Sequence, residues 1–139
     1  PLFKDLDGMN SGLPYYVVNA FTETPFGGNP AAVMLLDQWL PDTLLQALAA
    51  QHNLSETAFL VKQSHNTFAL RWFTPAVEVP LCGHATLASA FVLFAERGWQ
   101  TDVIRFSSAS GMLAQRSLLL RPSRRRWRSR RSRTCGATS

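Results

Sequence analysis

Glu56 stands at a corner between the segment Asn53-Leu54-Ser55 and the apolar run that starts at Thr57. A carboxylate at such a corner can serve as a helix-capping or solvated loop group. It can also act as a general acid/base, because a carboxyl held among apolar neighbours keeps a proton more readily and can both take one and return it. Gly83 and His84 open a long apolar segment. The first backbone N–H groups of a helix starting there have no partner inside it, and the helix dipole favours an anion beside them. Gly83 would let a ligand approach the backbone, and His84 could donate a hydrogen bond from an imidazole kept neutral by the positive helix end. A plain helix cap with a structural histidine explains the same residues. Cys82 precedes the pair, and a free cysteine most often packs as a small buried hydrophobe. Asn29, in Gly27-Gly28-Asn29-Pro30, shapes a turn and is also a candidate substrate contact.

Other chemistry finds little support. His52 and His65 follow a helix and a strand and are expected at the surface. Two isolated histidines without cysteine or aspartate at ligand spacing do not make a metal site, so no metal is expected. No P-loop and no GxGxxG is present, so no nucleotide cofactor is expected. Glu78 is placed to pair with Arg71 or to remain solvated.

The elements that must position these residues are read from periodicity. Tyr15–Phe21 is aromatic and β-branched and reads as a strand, followed by turn signals over Pro25–Pro30. Ala31–Leu36 reads as a buried strand. Pro41–Gln51 reads as a helix, with Leu44, Leu45 and Leu48 in one stripe. Thr57–Val61 is a short strand. Asn66–Phe73 alternates, with Phe68, Leu70 and Trp72 on one face and Ala69, Arg71 and Phe73 on the other. Between Ala85 and Ala95 only Thr86 and Ser89 are polar, so a helix over 83–97 must be enclosed by protein, with Gly98 as its stop. Asp102–Phe106 and Met112–Gln115 add two strands. The expected fold is α+β: a curved, mixed and mostly antiparallel sheet wrapped around a central buried helix.

The 139 residues suffice for one core. The net charge of +5 is unevenly spread: residues 1–115 hold five Lys/Arg against nine Asp/Glu (−4), and residues 116–139 hold nine Arg and no acid (+9). Arg121–Arg133 has no helical or strand period. Two cysteines, Cys82 and Cys135, make no disulfide framework. No signal peptide and no apolar run of membrane length is seen, which makes the cytoplasm the expected compartment. Three units follow: an extension over 1–13, a folded domain over 14–116, and an arginine-rich tail over 117–139 expected to be disordered.

Three segments, Phe26-Gly27-Gly28-Asn29-Pro30-Ala31-Ala32-Val33, Ser55-Glu56-Thr57-Ala58-Phe59 and the stretch from Phe73 to Ala88 containing Cys82-Gly83-His84-Ala85-Thr86, occur in this order. Together they resemble the phenazine-biosynthesis PhzF family, which shares its fold with diaminopimelate epimerase, over about Tyr15–Gln115. The resemblance implies a cofactor-free isomerase. Glu56 would move a proton between two carbons of a small carboxylate-bearing metabolite, His84 would assist, and Gly83, His84, Ala85 and Asn29 would bind the substrate. It also implies an alternative, since related epimerases use a cysteine in a segment similar to that around Cys82. Asn19 stands where the family usually has aspartate. Family members are about twice as long, with the site in a cleft between two halves. The tail looks like a gene read in the wrong frame, so the chain is expected to be a truncated first half of low or no activity. The resemblance also implies a tendency to dimerise, so a homodimer is a candidate assembly, with the oligomeric state left open. A further alternative is a non-enzymatic fragment whose basic tail meets nucleic acid, although specific nucleic-acid binding is not expected.

Overall fold

The computed structural model describes residues 13, 15–20, 29–116 and 128–132. Eight strands form one mixed sheet: β1 (Tyr15–Ala20), β2 (Asn29–Leu36), β3 (Glu56–Ser64), β4 (Thr67–Phe73), β5 (Glu78–Val79), β6 (Val103–Ser108), β7 (Gly111–Arg116) and β8 (Arg128–Ser132). Their order is β7-β6-β4-β3-β2-β1-β8, with β5 paired to β4. Only β2–β3 and β4–β6 are parallel. Both parallel pairs need crossovers. The first crossover contains helix α1 (Asp42–His52) and the second contains helix α2 (Gly83–Phe91).

Each strand's alternation divides its side chains between two cores. Phe68, Leu70 and Trp72 of β4, with Ala58 and Leu60 of β3, pack against α2, and Ile104 and Phe106 of β6 join them. Phe59 and Phe73, one position out of phase, meet Leu44, Leu45 and Leu48 of α1 on the opposite face. Burial on both faces explains why Ala31–Met34 is an unbroken buried run.

The expected helix over 83–97 is α-helical only to Phe91. Val92–Glu96 continues it as a π turn that turns Val92, Leu93 and Phe94 all into the core. Gly98, at φ +62°, ends it and lets the Trp99 N–H reach the Leu93 carbonyl at 2.8 Å. The one polar side chain fully buried in α2, Ser89, donates to the Ala85 carbonyl at 2.8 Å, so its hydroxyl is satisfied.

Arg71 forms a bidentate pair with Glu78, 2.7 Å for each bond, and its Nη1 reaches Asp42 at 2.9 Å. This joins β4, β5 and the first turn of α1.

Two further findings depart from the sequence reading. The first is in the arginine-rich segment: Arg128–Ser132 pairs antiparallel with β1, although the composition shows no strand period there. The outer backbone groups of β1 would otherwise form a bare sheet edge, and pairing satisfies them whatever the side chains. The rest of that segment and the 1–12 extension lie outside the described residues.

The second concerns His52, which is partly buried rather than at the surface. Its ring stacks on Tyr15 with centroids 4.8 Å apart, and Nδ1 lies 3.2 Å from the Thr57 hydroxyl. His65 is exposed as expected. Burial pushes His52 down from 6.5 to about 4. As pH falls, the unfolded chain therefore takes up this proton first, and the folded chain loses stability from about pH 6.5 down to about pH 4, below which the loss is complete. With solvent reaching part of the ring, the loss is about 1–2 kcal/mol. It should appear as a urea midpoint that drops between pH 7 and pH 4.5, with a smaller drop in His52→Gln. Equal drops in both proteins would exclude His52 as the cause. Asp42, held below its usual range by the hydrogen bond from Arg71, acts only in more acid solution.

Candidate active site

Glu56 opens β3 opposite Ala31 of β2. The polar corner before it has the chain leaving α1 through Asn53, whose left-handed φ of 52° turns it toward the strand. Gly83 opens α2, and the extended Cys82 precedes it as the N-cap residue. Thr86 fixes this start. Its N–H and its hydroxyl both donate to the Cys82 carbonyl, at 3.1 and 2.7 Å, and its Oγ1 accepts from Trp72 Nε1 at 3.1 Å. Trp72 is itself fully buried in β4, so the sheet holds the first turn of the helix in place.

This brings three of the candidate side chains together. His84 Nε2 lies 2.8 Å from Glu56 Oε2, and His84 Nδ1 lies 3.6 Å from Cys82 Sγ. The 2.8 Å approach is short enough for an ion pair, but it is out of line for a hydrogen bond. Both atoms are buried and have no hydrogen-bond partner among the described residues. Buried polar atoms without partners are rare in folded proteins and mark a place where a ligand can supply the missing contact. The two side chains as a whole remain 18% and 19% exposed, so the pair is partly open to solvent rather than in a closed core.

The first helical hydrogen bond is made by the Thr86 N–H, which leaves the N–H groups of residues 83–85 ahead of it. The space beside Gly83 is open, and a Cβ there would meet no atom within 4 Å. The side chain of Ala85 is in the core, so its backbone is the part available to a ligand. Asn29 begins β2 two positions before Ala31, at the Glu56 end of that strand pair. Phe26, Gly27 and Gly28 lie outside the described residues.

Cys82 is buried and its thiol is pushed up. Burial is the main cause and the Glu56 charge adds to it, while the N–H groups of Ala85 and His84 act in the opposite direction. Leu81, next to Cys82, is exposed, and the Ser110 hydroxyl ties the β6–β7 turn to this loop by donating to the Pro80 carbonyl at 2.6 Å.

Sequence reasoning singled out Glu56, Cys82, Gly83 and His84 and missed Thr86 and Trp72 as positioning residues. The available signal was the four-residue spacing from Cys82 to Thr86, at which a threonine hydroxyl can reach back to a carbonyl. The partner Trp72 had no local signal.

The same fold occurs in known proteins. An uncharacterised isomerase of Pseudomonas aeruginosa is 54% identical over 104 residues, which cover 75% of this chain and 40% of that protein. The crystal structure of a PhzF-family phenazine biosynthesis protein from Enterococcus faecalis superposes with a TM-score of 0.70 at 55% identity, over 73% of this chain and 39% of that one. A structure described as a predicted epimerase of P. aeruginosa gives 0.66 at 29% identity, over 74% of this chain and 37% of that one. The fold is thus of the PhzF and epimerase-like type, and this chain spans about 40% of the length of the curated relative. The sequence profile of phenazine biosynthesis-like proteins matches residues 18–127, running past Gln115, where the sequence reading had ended the resemblance. With that match over residues 18–127 and these identities, the chain belongs to the phenazine biosynthesis-like (PhzC–PhzF) protein family.

Proposed function

We propose that this chain forms one wall of an isomerase site, which moves a proton between two carbons of a small carboxylate-bearing metabolite without a cofactor. Glu56 breaks the C–H bond by taking its proton, and returns that proton to a second carbon as the double bond shifts. No electrons are lost or gained overall. His84 assists the transfer, and the backbone at Gly83, His84 and Ala85 holds the substrate carboxylate, with Asn29 at the same end of the sheet.

The observation that carries this reading is the buried approach of His84 Nε2 to Glu56 Oε2 at 2.8 Å, with neither atom hydrogen-bonded. A base and an anion-binding helix start are then within reach of one small molecule. The names of the relatives, an isomerase among them, agree with this class of chemistry. In the relatives the remaining length would supply the opposite wall. The chain alone is therefore expected to turn over little or not at all, to act on a small molecule rather than on nucleic acid, and to work in the cytoplasm. No helix among the described residues is long and apolar enough to cross a membrane.

The second reading is epimerisation through Cys82, suggested by the likeness to a predicted epimerase. Burial works against it, because it keeps the sulfur protonated. The two readings separate in a hybrid in which residues 15–115 replace the matching segment of a longer relative. Deuterium uptake from heavy water into a panel of small unsaturated and amino carboxylates is followed by mass spectrometry. Cys82→Ser should retain exchange within about threefold if the glutamate is the base, whereas loss of a required acid/base thiol costs about a hundredfold or more. A loss of that size in Cys82→Ser would replace the glutamate reading with the thiol one.

A further inference from the structure

We propose that Glu56, Cys82 and His84 together form a three-ligand site for a borderline-soft divalent cation, Zn²⁺ above all. One carboxylate oxygen, the sulfur and one ring nitrogen all lie within 4.8 Å of one another. Zinc holds such ligands at about 2.0–2.3 Å, which sets them roughly 3–4 Å apart around the ion. The imidazole has Nε2 toward Glu56 and Nδ1 toward Cys82. A cation can use only one of these nitrogens, so a small turn of the His84 side chain brings sulfur and carboxylate to the same ion.

A second observation points to a ligand here. Glu56 Oε2 and His84 Nε2 are buried, face each other and lack hydrogen-bond partners among the described residues. They stand 2.8 Å apart, so a cation bound from one side of the pair satisfies both lone pairs at once. Thiolate, imidazole and carboxylate together select zinc over magnesium or calcium, which prefer oxygen ligands alone. The positive end of α2 opposes any cation, but the two negative charges of the thiolate and carboxylate outweigh a helix end worth about half a charge. Binding releases the Cys82 proton to solvent as the sulfur–zinc bond forms. The partial exposure of Glu56 and His84 leaves an entry path. On the isomerase reading, an occupied site withdraws Glu56 from proton transfer and so inhibits; that consequence rests on the reading above, whereas binding does not.

The test uses the full chain with Cys135→Ser, which removes the other thiol, freed of metal by a chelator and titrated with CoCl₂ and then ZnCl₂. Circular dichroism confirms that each protein is folded. The expected result is a single equivalent of Co²⁺ giving a thiolate-to-cobalt charge-transfer band, displaced by Zn²⁺. Cys82→Ser should lose the band, and Glu56→Gln and His84→Ala should each bind about tenfold or more weakly. A folded chain without the band, a band that survives Cys82→Ser, or unchanged affinity in both other variants overturns the proposal. The spectrum is read without turnover, so failure of the isomerase reading leaves this result intact.

Discussion

Glu56→Gln in the hybrid protein should slow proton exchange into substrate by about 10²–10⁴-fold, the usual contribution of a positioned general base. That range corresponds to about 3–5 kcal/mol of lost transition-state stabilisation. Glutamine matches the shape of the carboxylate but cannot hold the migrating proton. The substitution should leave the fold intact, because Glu56 Oε2 makes no hydrogen bond that the amide would forfeit. The backbone pairing of residue 56 with Ala31 is indifferent to its side chain. The loss should therefore fall on kcat, with KM nearly unchanged, since the helix start still receives the substrate carboxylate. Exchange that continues within about threefold of the parent rate would end the proposal that this carboxylate moves the proton.

Trp72→Ala should be the most destabilising single change in the described core, at about 3–5 kcal/mol. The indole is only 1% exposed and lies in the cluster that covers α2. Its removal opens a cavity beside the helix and deprives Thr86 of the donor that anchors it to the sheet. Small domains are stable by only about 5–15 kcal/mol, so such a loss populates unfolded chain at ordinary temperature. Trp72→Phe separates packing from hydrogen bonding. It keeps most of the ring volume and gives up one bond, at about 1 kcal/mol. Thr86 would still donate to the Cys82 carbonyl, so the helix start should survive in that variant. Urea denaturation of both variants checks the difference; equal losses would mean that the indole's bulk contributes little.

Local patterns in the sequence already indicate much of this architecture. The alternation through Phe68, Leu70 and Trp72 marks one face of β4, and the absence of a polar face from Ala85 to Ala95 marks α2 as enclosed. Glu56, Gly83 and His84 could be singled out because each sits at an element boundary, where side chains and free N–H groups point out of the regular structure. What stayed hidden depends on contacts distant in sequence. Nothing around His52 signals that Tyr15 will cover it, nor does anything near Arg128 signal a free strand edge for it to join. The parallel pairings of β2 with β3 and of β4 with β6 follow from the way the two crossovers return, and residue period is blind to that. The π turn after Phe91 was hidden for a related reason: an all-apolar run fits a helix of either pitch.

Because β8 pairs with β1, residues near opposite ends of the chain become neighbours in the sheet. During synthesis the amino-terminal strand leaves the ribosome long before the segment that covers its outer side. Such non-local closure is slow, since the entropy of a long loop must be lost before any contact forms. The nascent protein thus carries an exposed template for intermolecular β-pairing until residues 128–132 emerge, and its yield should be more sensitive to chaperone supply and expression rate than its core packing would suggest.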